Sequence, residues 1–120
     1  GILAAIALPT FLGQSNKAKD SSAKSDVRNA VTQMESCLAD GSKNATTCAA
    51  DPSVLQFKLL TKPVTVDAGG DGYTLEAKSE TDNLFRITKS TGAPGSYTRE
   101  CTTVKTGAGC SAAAGATSAW

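Results

Sequence analysis

The hydrophobic pattern changes period along this chain, and each change marks an element. Residues 1–12, Gly-Ile-Leu-Ala-Ala-Ile-Ala-Leu-Pro-Thr-Phe-Leu, are apolar on every side of any helix they form, and no charge appears before Lys17. A globular helix hides one apolar stripe, whereas a segment that is greasy all round is covered by lipid or by other chains. The run is shorter than the ~20 residues that span a bilayer, so it suits the second half of a span that starts upstream. It lacks the basic flank of a signal peptide. A buried core helix is the plainer alternative.

From Pro9 to Asp40 the pattern becomes helical and amphipathic. Ala23, Val27, Ala30, Val31, Met34 and Leu38 recur at spacings of three and four, while Lys24, Ser25, Asp26, Arg28, Asn29 and Gln33 fill other faces. Asp20 and Lys24 stand as an acid-to-base pair one turn apart, and Asp40-Gly41 supplies the stop. A helix of about 32 residues is roughly 48 Å long, too long for so small a body to cover, so its first half should protrude. Gly1 and Pro9 are its expected breaks: proline lacks the N–H that bonds back four residues and costs about 3 kcal/mol in a helix interior.

Residues 41–63 read as a loop, with Asp51-Pro52 starting a short helical turn over 52–58. Strand signals follow at Val64 to Val66, Tyr73 to Lys78, Leu84 to Lys89 and Tyr97 to Thr102. Turns are expected at Gly69 to Gly72, Glu80 to Asn83 and Gly92 to Ser96. Thr106 to Ala119 has no periodicity and reads as an irregular loop before Trp120. The expected fold is α+β: a long N-terminal helix packed on a small antiparallel sheet of three to four strands, with a disulfide-closed C-terminal loop. Residues 1–16 form the protruding hydrophobic segment and 17–120 the globular domain. Val27, Val31, Met34 and Leu38 are expected to meet Leu75, Phe85 and Ile87 in the helix–sheet core.

Leu, Ile, Val and Phe total 21, of which six precede Gly13, so the globular part has a thin core that needs staples or partners. Cys37, Cys48, Cys101 and Cys110 answer that need. There is no His, and the spacings lack the short knuckles of an all-cysteine zinc site. Two disulfides are the better reading, in an oxidising compartment outside the cytoplasm. Three connectivities are possible, and locality favours 37–48 and 101–110.

The net charge of +1 gives no field of one sign for steering nucleic acid. Without His there is no His-based triad, and the Ser, Asp and Lys residues lack catalytic spacing, so no enzyme and no cofactor is expected. Asp67-Ala-Gly-Gly-Asp-Gly-Tyr73 lacks the alternating ligands of a calcium loop and reads as a hairpin turn. Asn44-Ala45-Thr46 is a formal glycosylation sequon in a loop. Arg99 and Lys105 are basic, but Glu100 between them and the single nearby Tyr97 argue against DNA binding.

The stretch GILAAIALPTFLGQSNKAKDSSAKSDVRNAV resembles the segment that follows the cleaved leader in bacterial type IV pilins and in the pseudopilins of type II secretion. The likeness extends to about Asp40; beyond it only the expected architecture matches. The resemblance implies a structural subunit of an extracellular filament, held in the inner membrane before cytoplasmic assembly machinery packs it into a helical homo-oligomer. Ile2, Leu3, Ile6, Leu8, Phe11 and Leu12 would then lie in the membrane first and in the filament core afterwards. Pro9 would loosen the helix there on assembly. The family's cleavage site, methylated N-terminus and glutamate would lie upstream of Gly1. Adhesion, twitching motility or surface interaction are the implied roles. A major pseudopilin is the nearest rival; such proteins often carry calcium in the sheet region and lack paired tail cysteines. A minor pilin that binds DNA or a surface receptor is the other rival.

Overall fold

The computed structural model describes residues 2–61, 65–66, 70–92 and 96–120, with residues 2–12 and Thr65 described in backbone only. Helix α1 spans Ile2–Leu38 and α2 spans Ala45–Ala50. Five strands follow: β1 (Thr65–Val66), β2 (Tyr73–Lys78), β3 (Leu84–Lys89), β4 (Tyr97–Thr102) and β5 (Thr117–Ala119). They form one antiparallel sheet in the order β1-β2-β3-β4-β5. Helix α1 packs on β2 and β3, which makes the fold α+β, as the pattern predicts.

The period-2 segments fold as expected. On β2, Tyr73, Leu75 and Ala77 are buried; on β3, Phe85 and Ile87 are. Facing them on α1 are Ala23, Val27, Ala30 and Met34, all fully buried. Burying a Leu, Phe or Met side chain contributes about 1.5–3 kcal/mol, so few residues carry most of this core. Val31 and Leu38, expected in the core, are only half-buried and pack against its edge. A stripe of spacing three-four-three-four is narrow. Ala23, Val27, Ala30 and Met34 fill it, and residues one position further round flank it.

Two expectations are corrected, the second helix and the tail. At Pro9, α1 carries helical backbone in the single chain, whereas the loosening expected there belongs to the assembled filament. Gly1, the other expected break, lies outside the described residues. The second helix is 45–50, not 52–58. Asn44 starts it, because its Oδ1 accepts both the backbone N–H and the hydroxyl of Thr47, at 2.9 and 3.0 Å. Asp51 instead ends it, and its carboxylate accepts the Ser53 N–H at 2.9 Å. Finally, the tail is not wholly irregular: Thr117–Ala119 pairs with β4 as an edge strand. Val64, Gly69 and the centre of the expected turn before Ser96 lie outside the described residues.

Both cysteine pairs follow locality. Cys37 joins Cys48 and Cys101 joins Cys110, each with Cα atoms 5.9 Å apart. The first ties α2 to the last turn of α1; the second closes the C-terminal loop onto β4. In the chain-entropy description each loop of about ten residues adds roughly 2–3 kcal/mol.

Candidate functional site

The seam between α1 and the sheet gathers the polar and aromatic groups of the described residues. Two polar clusters and one aromatic side chain sit along it.

At the foot of the seam, Asp20 is fully buried. Its carboxylate accepts hydrogen bonds from the Thr81 hydroxyl at 2.5 Å, from Asn83 Nδ2 at 2.8 Å and from the Gly109 N–H at 2.8 Å. Burial alone would raise its pKa. Hydrogen bonds involving Ser79, Thr81, Asn83 and Gly109 outweigh that and hold the carboxyl below its ordinary range. Asn83, also fully buried, passes the linkage on: its Oδ1 accepts the N–H groups of Val104 and Lys105, both at 2.7 Å. Helix, β2–β3 turn and C-terminal loop are thus joined by two side chains. Lys24 does not pair with Asp20 as the spacing suggests; its Nζ donates to the Gly109 carbonyl at 2.8 Å.

At the head of the seam, Lys89 is 5 % exposed and pairs with Glu35 and Asp71, each at 3.2 Å. Burial would lower its pKa, but hydrogen bonds to Asp71 and Glu35 prevail and raise it. The Tyr73 hydroxyl donates to Glu35 at 2.6 Å, and burial together with that carboxylate pushes the phenol well above its usual range. Asp71 also accepts the Gly92 N–H at 2.9 Å, so the Gly-rich turn holds a structural acid.

Between the two lies Trp120. Its indole N–H donates to the Glu100 carbonyl at 2.7 Å and its ring meets Phe85 edge-on at 5.6 Å. Lys24, Arg28 and Arg99 approach that ring at 5.5, 5.0 and 6.0 Å. Alongside runs a groove of about 470 Å3, floored by Val31, Ile87 and Tyr97 and rimmed by Arg28 and Arg99.

The structure brings together the expected core residues Val27, Met34, Leu75, Phe85 and Ile87, with Val31 in the groove instead. Of the two basic residues near the second cysteine pair, Arg99 stands over Trp120, and the Lys105 backbone is held by Asn83. Asn44 of the sequon serves as a helix cap. Two buried polar positions escaped the sequence reading. Asp20 continues the stripe of Ala23 and Val27 by three residues, and Lys89 keeps the inward phase of Phe85 and Ile87. Strict periodicity would have placed both inside.

Among the described residues no helix is long and apolar enough to cross a membrane, and no group of His, Cys, Asp and Glu could hold a metal ion. Compared with protein-family models, with curated proteins and with solved structures, the chain finds no match.

Proposed function

We propose that this chain is a structural subunit of a type IV pilus-like extracellular filament, held in the inner membrane by its N-terminal helix until it is assembled. The observation that carries this is the length of α1 beyond its own core. The molecule measures 64 × 26 × 21 Å. Counted from the N-terminus, the first buried side chain among those described is Asp20, yet helical backbone runs back to Ile2. About 27 Å of helix thus precedes the first buried side chain, and its first residues are apolar on all sides. Lipid suits such a surface before assembly, and identical helices from neighbouring copies suit it afterwards. Rigid attachment to the sheet through Asp20 gives the helix a fixed aim. The two disulfides fit an extracytoplasmic body with a thin core.

Filaments sheared from cells that make the full-length protein, imaged and then identified by mass spectrometry, provide the test. This chain should form the bulk of the filament protein. Cells that make the protein yet yield no filament containing it would overturn the proposal.

A further inference from the structure

The groove between α1 and β4 is rimmed by two guanidinium groups that find no acid partner among the described residues. Arg28 and Arg99 are exposed, both lie against Trp120, and no carboxylate of the described residues reaches either within ion-pair distance. Glu35, which lines the same groove, is already engaged by Tyr73 and Lys89. Val31, Ile87 and Tyr97 give the groove an apolar floor. Its occupant therefore needs a carboxylate beside apolar surface.

The chain offers such a feature elsewhere. Glu80, on the turn between β2 and β3, is exposed and has no ion pair or hydrogen bond among the described residues. It borders a hollow lined also by Ser15, Ala18, Lys19, Ser22 and the half-buried Leu59, and Lys19 does not come within ion-pair distance of it. Leu59 supplies the apolar surface next to the acid. We propose that the Arg28–Arg99 groove receives the Glu80 turn of a second copy of this chain.

Position along α1 decides what such a contact builds. Glu80 lies beside residues 15–22, whereas the groove lies beside residues 28–35. The two sites are separated by about 20 Å along the helix at 1.5 Å per residue. In copies that lie parallel, as the filament reading has them, one copy's foot meets the next copy's seam, a heterologous contact that can repeat along the filament. Stacked this way, every copy points its protruding helix in the same direction. The inference rests on the filament reading and supplies it with a contact between globular parts.

The test uses filaments bearing Arg99→Lys, treated with a carbodiimide that joins touching amines and carboxylates without a spacer. Denaturing gels should show a ladder of linked subunits, with peptides joining position 99 of one copy to Glu80 of another, and Glu80→Gln should abolish the ladder. Separately, Arg28→Glu with Arg99→Glu should reduce filament yield roughly tenfold or more, since like charges facing across an interface cost several kcal/mol. Adding Glu80→Arg should restore it, while melting of the purified subunits checks that folding is unchanged. If the double variant does not fold, Glu80→Arg alone, at an exposed unpaired position, should give the same loss. Abundant filaments in which position 99 links to another acid, or to none, would overturn the contact and leave the filament reading intact. Absence of any filament containing the wild-type chain would overturn both.

Discussion

The Asp20 carboxylate accepts the Gly109 N–H at 2.8 Å, a bond between residues 89 apart in sequence. It brings the C-terminal loop against the foot of α1, and it requires glycine there. A Cβ on residue 109 would stand 2.8 Å from the Asp20 Cβ, closer than such atoms approach. Gly109→Ala should therefore destabilise the fold by about 1–3 kcal/mol through overpacking. Thermal melts of the two proteins check this; an unchanged midpoint would contradict the close approach.

Replacing the acid itself should cost more. Asp20→Asn presents an N–H2 group to donors that need an acceptor, and a buried charged hydrogen bond is worth about 1.5–3 kcal/mol. The pH dependence has a definite sign. The folded carboxyl lies below its ordinary value of 3.8, so its contribution is complete above that pH and is lost as pH falls through the lower folded value. Urea midpoints measured from pH 7 down to acid should fall more steeply for the native protein than for Asp20→Asn.

Two valines separated by one helical turn should respond oppositely to charge. Val27 is fully buried, and Val27→Asp should unfold the domain by leaving an unpaired carboxylate under the sheet. Val31 faces the groove beside Arg28 and Arg99, and Val31→Asp should leave a folded protein destabilised by less than about 1 kcal/mol. Circular dichroism melts of both variants separate the faces.

The disulfides should be worth a large share of the total stability. Removing Cys101–Cys110 by a double Ser substitution should cost about 2–3 kcal/mol. Peptide mapping without reductant should recover Cys37 with Cys48 and Cys101 with Cys110.

Much of this architecture is legible from period and spacing. β2, β3 and β4 fall on their predicted ranges because alternation and turn residues agree there. The same alternation left Lys89 ambiguous, since charge says outside and phase says inside; Glu35 and Asp71, distant in sequence, decide it. Asp20 was hidden in the same way. A local pairing with Lys24 looked sufficient, while its actual donors come from residues 81, 83 and 109. Strand β5 was missed because Thr117–Ala119 has no hydrophobic pattern; the disulfide loop and the ladder to β4 hold it. The groove beside Trp120 is harder still to read in advance, since it draws on residues from α1, β3 and β4 at once.

The continuity of α1 fixes an angular phase. Because helical backbone runs unbroken from Ile2 to Leu38, the azimuth of the apolar end is set by the sheet far above it, as a key's teeth are set by its bow. One residue inserted between Gly13 and Lys19 would turn that end by about 100° and shift it about 1.5 Å, whereas seven would bring it back to within about 20° at the expense of roughly 10 Å of added reach. Length and heading along this shaft are therefore inherited together, and a change in the number of residues between them is read as rotation before it is read as distance.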